Sequence, residues 1–182
     1  MPVQKGAGQS GATLTHAEGV HQGSSASSGG DFLGGQLEGV EAKPRVIMID
    51  TTVWIDYFRG IRSPEHRALE HLIQEGRMIC VTDIIQTEAL QGIRSDEQYI
   101  KTRHFLQRLP CLTAKAPATF LHAAELYRLC RKRGGTIRST VDCLIAAVCL
   151  EARTPLLHHD ADFDQLAKHC GLRKANPVDI LS

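Results

Sequence analysis

The hydrophobic positions change their period along the chain, and each change marks an element. Val46-Ile47-Met48-Ile49 is an uninterrupted apolar run that ends in Asp50, the pattern of a strand buried on both faces. Thr51 or Thr52 is placed to cap a short helix carrying Val53, Trp54, Tyr57 and Phe58. Ser63-Pro64-Glu65 opens a second helix, with serine at the cap and proline at the first position; Ala68, Leu69, Leu72 and Ile73 form its apolar stripe, which stops near Gly76. Met78 to Thr82 reads as a second buried strand, and Thr82 or Asp83 caps a helix with Ile85, Ala89, Gly92 and Ile93 at helical spacing. Another helix covers Asp96 to Leu109 and is ended by Pro110, and Cys111 to Ala114 reads as a short third strand. Pro117 opens a long helix through Phe120, Leu121, Ala124, Leu126 and Leu129 that closes at Gly134-Gly135. Ser139 or Thr140 caps the helix Val141–Glu151, Thr154 to His158 is a fourth strand, and Asp162 to His169 is a short helix ended by Gly171. Strands alternating with helices predict an α/β fold: a central, mostly parallel sheet of four to five strands with helices on both faces.

Composition separates one segment from the rest. Ten of the 16 glycines fall in residues 1–45, together with a serine cluster and hardly any large apolar side chains. Such a segment cannot bury enough surface to offset the entropy of ordering. The expectation is a disordered or non-native extension over 1–45, with the domain spanning 46–182 and starting at Val46 or Met48. The six cysteines show no Cys-x-x-Cys pair, which argues against a zinc site or a disulfide framework and predicts reduced, mostly buried thiols. A net charge of +1 gives no nucleic-acid coat, although a group of acids would cancel basic residues elsewhere. The amino terminus has no apolar core segment, and the longest apolar stretch, Val141 to Leu150, is interrupted by Asp142 and too short to span a bilayer. The expectation is a cytoplasmic protein with no membrane partner.

Four acids occupy comparable places in this pattern. Asp50 follows the first strand, Glu88 lies in the first turns of the helix after the second, Asp142 lies in the first turn of a helix, and Asp160 comes just past Leu156-Leu157-His158-His159. In a parallel sheet the strand carboxyl ends and the following helix amino ends share one edge. Acids meeting there repel one another unless protons or a cation neutralise them. A hard divalent ion with oxygen ligands suits such a set, which favours Mg2+ or Mn2+ over zinc and fits phosphodiester cleavage by a metal-activated water. Plainer alternatives stand beside this reading. Glu88 and Asp142 gain from the helix dipole without any function, and one of Asp160, Asp162 and Asp164 must cap the last helix, with Asp162 the expected cap. Asp142 opens a helix that is apolar nearly all round, so a buried acid there needs a partner.

The stretches around these acids carry a resemblance. Ile49-Asp50-Thr51-Thr52-Val53-Trp54-Ile55-Asp56-Tyr57-Phe58 resembles the opening motif of PIN-domain ribonucleases of the VapC type, the toxin half of bacterial type II toxin–antitoxin pairs. Glu88-Ala89-Leu90-Gln91-Gly92 resembles their second acidic motif, Thr136 to Ala147 the third, and Leu156-Leu157-His158-His159-Asp160-Ala161-Asp162-Phe163 the fourth. The resemblance covers about residues 46–182 and implies the PIN-like fold. It also implies a Mg2+- or Mn2+-dependent endoribonuclease in which Asp50, Glu88, Asp142 and Asp160 are the catalytic, metal-binding acids. Asp162 is the alternative to Asp160 at the variable fourth position, and Thr52 is the hydroxyl that would hold a water or a phosphate oxygen. Further implications are 5′-phosphate and 3′-hydroxyl products, a homodimer, a cognate antitoxin that blocks the pocket, and promoter DNA bound only through that antitoxin.

Basic residues add candidate RNA contacts. Arg128, Arg131, Lys132, Arg133 and Arg138 precede Asp142 closely, and Arg138, Arg133 and Lys132 are placed to hold an RNA backbone; the plainer alternative is a solvated helix end. Arg59 and Arg62 are weaker candidates. His158 and His159 read as strand-end packing or RNA contacts rather than bases, and Trp54 as core beneath the site. Two rival functions remain to be weighed. A phosphatase of the haloacid-dehalogenase kind requires a second aspartate two residues after the first, where this chain has Thr52. A catalytically weak module acting through antitoxin pairing and promoter regulation has no use for a full set of acids.

Overall fold

A computed structural model of the chain describes residues 46–182; the expectation made for residues 1–45 lies outside the described residues. The apolar run reads out as strand β1 (Val46–Ile49), whose Ile47, Met48 and Ile49 are buried. β1 pairs in parallel with β2 (Met78–Thr82) on one side, Met48 opposite Cys80. On its other side lies β4 (Leu156–Leu157), also parallel, with Met48 opposite Leu156. β2 carries β3 (Cys111–Leu112) at the far edge, so the order is β3-β2-β1-β4, a sheet of four strands. This is the parallel α/β architecture expected from the alternation of elements.

Eight helices connect and flank the strands among the described residues: α1 (Thr51–Arg59), α2 (Pro64–Gln74), α3 (Asp83–Gln91), α4 (Asp96–Leu106), α5 (Ala118–Lys132), α6 (Thr140–Glu151), α7 (Ala161–Cys170) and α8 (Pro177–Leu181). Their starts follow local chemistry. The Ser63 hydroxyl accepts the His66 N–H, Thr82 accepts from Ile85, and Ser139 accepts from Asp142, each satisfying a donor that the first helical turn leaves without a partner. α6 is the apolar helix, and its Cys143, Ile145, Ala146, Ala147, Val148 and Cys149 are all buried. Trp54 is fully buried, stacked on Phe58 at 5.7 Å between ring centroids and edge-on to Phe105 at the same separation. All six cysteines are unpaired; Cys80, Cys130, Cys143 and Cys149 are buried, and Cys111 is exposed. Among the described residues no helix is long and apolar enough to cross a membrane.

Several boundaries differ from the sequence expectation. The fourth strand is confined to Leu156–Leu157, because Pro155 has no N–H to give and joins the sheet only through its carbonyl, which accepts the Met48 N–H at 2.9 Å. α4 ends at Leu106 rather than Leu109. α8 was not expected, although Asn176-Pro177 is a cap followed by proline at the first position, and Asn176 Oδ1 accepts the Val178 N–H at 3.1 Å.

The turn after α5 decides how the chain enters α6. Gly134 adopts φ +84°, and a Cβ on Gly135 would lie 2.4 Å from Cys130 Sγ and 2.8 Å from His169 Cδ2. Gly135→Ala therefore forces the α5–α7 packing apart and is expected to cost about 1–3 kcal/mol. Urea unfolding followed through the single tryptophan, Trp54, measures it; an unchanged midpoint would show that the neighbours yield freely.

Candidate active site

Asp50 ends β1 with its backbone N–H bonded to Leu157 O at 3.0 Å. Its carboxylate turns back over the first turn of α1, where Oδ2 accepts the Thr52 N–H at 2.9 Å and the Thr52 hydroxyl at 2.6 Å. Asp50 itself is thus the N-cap of α1, not Thr51 or Thr52 as the sequence suggested. Both threonine hydroxyls serve carboxylates instead: Thr52 fixes Asp50, and Thr51 Oγ1 donates to Glu88 Oε2 at 2.8 Å, tying α1 to α3. Asp50 is 2% exposed. Burial raises its pKa, the Thr52 hydrogen bonds oppose this, and the nearby charge of Glu88 adds to the rise.

Asp142 enters from the amino end of α6, its N–H held by Ser139 Oγ at 3.3 Å. It is half-buried, and its side chain accepts no hydrogen bond from the described residues. Its pKa is pushed up to about 7, first by burial and then by the charges of Asp160, Asp50, Asp162 and Glu88. Asp142 is the point on which the other acids converge. Asp142, Asp160 and Asp162 each bring a carboxylate oxygen within 4.8 Å of the other two. Asp50 and Glu88 stand far enough back to be absent from that tight group, yet close enough for their charges to be felt by Asp142. The donor set is entirely carboxylate oxygen, with one member lacking any protein donor. That chemistry fits a hard divalent cation.

The cap expected at Asp162 falls on Asp160. Asp160 caps α7, its Oδ1 accepting the Asp162 N–H at 2.8 Å, so Asp162 is not the cap. Asp162 is buried and saturated. Its Oδ2 accepts the N–H groups of Arg138 at 2.7 Å and Ser139 at 3.2 Å, and its Oδ1 accepts Arg138 Nε at 3.1 Å. Burial alone would raise its pKa, but the Arg138 and Ser139 donors outweigh burial and hold it below the ordinary range. Among the described residues Asp160 Oδ2 has no hydrogen-bond partner, so Asp160 has more capacity for a ligand than Asp162. Arg138 Nη2 approaches Asp160 Oδ1 at 3.7 Å.

Arg138 is the one basic candidate that reaches the acids. Arg133 Nη1 instead donates to His169 O, at the far end of α7, roughly 14 Å from Asp160 along a helix rising 1.5 Å per residue. Lys132 is exposed beside it. His158 is fully buried against Phe163, with neither ring nitrogen hydrogen-bonded, and burial lowers its pKa to about 4. It is a neutral packing residue, as its place at the strand end implied. His159 points elsewhere, its Nε2 lying 3.6 Å from Oδ2 of the buried Asp56. The sequence gives no sign that Asp56 is buried, since an acid on a short helix reads as part of its polar face.

Two outcomes follow. Asp162→Ala leaves the Arg138 and Ser139 amides without acceptors and is expected to cost about 2–4 kcal/mol, against about 1 kcal/mol for loss of the Asp160 cap; urea midpoints of the two variants measure the difference. Asp142 contributes stability that is present below its ordinary carboxylate pKa and lost as pH rises toward its folded value of about 7. In EDTA, the melting temperature of Asp142→Asn relative to wild type is therefore expected to climb between pH 4 and pH 7. A gap independent of pH would show that Asp142 ionises normally. His158 titrates in the opposite sense, but it is common to both proteins and cancels.

The PIN domain family profile matches residues 47–169. Ribonuclease VapC11 of Mycobacterium tuberculosis and VapC ribonuclease Mb1587 of Mycobacterium bovis are each 36% identical over 134 residues, covering 72% of this chain and 98% of the relative. The fold is similar to that in VapBC2 of Rickettsia felis bound to a promoter DNA fragment (TM-score 0.57, 20% identity, 72% of this chain and 98% of that one). It is also similar to that in VapBC-1 of nontypeable Haemophilus influenzae (TM-score 0.56, 20% identity, 73% and 98%). With four carboxylates at the sheet edge, a family match over nearly the whole described domain and relatives at this identity, the chain belongs to the PIN domain family, in its VapC branch.

Proposed function

We propose that this chain is an endoribonuclease that hydrolyses RNA phosphodiesters at its acid cluster with Mg2+ or Mn2+ bound, as the toxin of a toxin–antitoxin pair. The observation that carries the reading is Asp142: a half-buried carboxylate at the meeting point of four other acids, with no hydrogen-bond donor of its own. Asp50, Glu88, Asp142 and Asp160 would hold the ion. Bound there, a hard divalent cation supplies the Lewis acidity that makes water nucleophilic at neutral pH and offsets charge on the phosphate. The chain's own residues orient the ligands. Thr52 fixes Asp50, Thr51 fixes Glu88, and Ser139 sets the first turn from which Asp142 projects. His158 moves no proton, since it is neutral and sealed in the core.

The relatives named ribonucleases support the RNA substrate, and the neighbouring VapBC complexes support a cognate antitoxin as partner. A homodimer, and promoter DNA held through the antitoxin, belong to the same reading. The rival, a catalytically weak module acting only through antitoxin pairing, would have no need to keep carboxylates crowded at this cost.

Purified chain incubated with cellular RNA is expected to cleave it in Mg2+ or Mn2+ and not in EDTA. Asp50→Asn and Asp142→Asn are expected to lower the rate by about 100-fold or more, the scale on which deleting one electrostatic group slows an enzyme. Cleavage that persists in EDTA, or no cleavage with any divalent metal, overturns the proposal.

A further inference from the structure

Arg138 is joined to the acid cluster in two unequal ways. Its root is fixed, because its backbone N–H and Nε both bind the buried Asp162, at 2.7 and 3.1 Å. Its tip is loose. Nη2 stands 3.7 Å from Asp160 Oδ1, beyond hydrogen-bond range, and the side chain is 72% exposed. A guanidinium that meets a carboxylate squarely makes two parallel bonds; this one is divided between two carboxylates and closes on only one. It is also the one cation paired with the acids around Asp142 among the described residues, so it supplies the positive charge that the crowded carboxylates need.

We infer that Arg138 is the resident counter-ion of the acid cluster, which a divalent cation displaces from Asp160, freeing the Arg138 tip to take a substrate phosphate. The inference rests on the proposed use of Asp160 as a metal ligand. The backbone anchor to Asp162 stays in place throughout, so the guanidinium swings about a fixed root and remains at the mouth of the site. One charge thereby serves twice: it screens Asp160 in the metal-free chain and offers a phosphate contact in the loaded one. A phosphate drawn to this position lies beside Asp160 and Asp142, where cleavage is proposed.

The consequence is opposite in sign for two ligands. Arg138→Gln keeps the backbone N–H bond to Asp162 and removes the charge together with the Nε bond. Mn2+ binding to the full-length chain, measured by calorimetry, is expected to tighten about tenfold, the Coulomb effect of removing one positive charge a few ångströms from a divalent ion near the surface. Affinity for a fluorescein-labelled mixed-sequence phosphorothioate RNA, which resists cleavage, measured at saturating Mn2+, is expected to weaken several-fold. Arg138→Lys keeps the charge and is expected to bind Mn2+ as wild type does. Damage to the loop would weaken both ligands together, and circular dichroism melts establish that each variant is folded. Mn2+ affinity in folded Arg138→Gln that is unchanged or weaker, with wild type binding normally, overturns this inference alone. Failure of the wild type to bind Mn2+ at all overturns both it and the proposed metal site.

Discussion

The hydrogen bond from the Asp50 N–H to Leu157 O, 3.0 Å long, fastens together the carboxyl ends of β1 and β4, and the site depends on it. These strands are far apart in sequence but adjacent in the sheet, because the chain leaves β1 for β2 on one side and returns to β4 on the other. β1 is therefore the point where the strand order reverses, and open parallel sheets form their crevice at such a point. Asp50 emerges from β1, Glu88 from the helix after β2, and Asp160 from the turn after β4. α6 closes the space with Asp142 at its amino end. No loop has to be folded specially to bring the acids together; the order of the strands does it.

That convergence has an energetic cost that the structure distributes unevenly. Thr51, Thr52, the Asp162 amide and Arg138 each give a donor to one carboxylate. Asp142 receives none, and burial beside the neighbouring acids pushes its pKa up to about 7. Hydrogen bonds that stabilise the charged form lower a carboxylate's pKa, and burial beside like charge raises it. Asp162 and Asp142 fall on opposite sides of this single balance, a few ångströms apart. The first is a structural acid held ionised by its partners, and the second is an acid left in need of a cation.

The fold, and the places of Asp50 and Asp142, were legible in the sequence because their signals are local and strong. An apolar run ending in Asp50, and an acid opening the wholly apolar α6, are both anomalies that a single chain displays without its neighbours. Ser63, Thr82 and Ser139 were readable as caps on the same ground. What was not readable depended on partners distant in sequence or on one backbone torsion. Thr51 looked like a cap and is a Glu88 donor across 37 residues. Asp162 was the expected cap of α7, and the extended backbone at Asp160, φ −92° and ψ 137°, two residues earlier, makes Asp160 the cap instead. Arg133 and Arg138 belong to the same basic run, yet one braces the end of α7 and the other reaches the acids. Charge spacing alone does not separate them.

Asp162 shows why an acid in a matching motif need not act as a ligand to be necessary. Its amide is held by Asp160, the cap of α7, while its carboxylate holds the amides of Arg138 and Ser139, the latter being the cap of α6. The helix starts that present Asp160 and Asp142 are thus joined through one buried side chain. Neither acid can shift far without straining the other's cap, so their separation is a property of the linkage rather than of each loop. A site built to grip an ion by two carboxylates gains from such coupling, because an ion's demands fall on the distance between ligands and not on the place of either. The buried, saturated Asp162 fixes that distance for the half-buried Asp142 and Asp160.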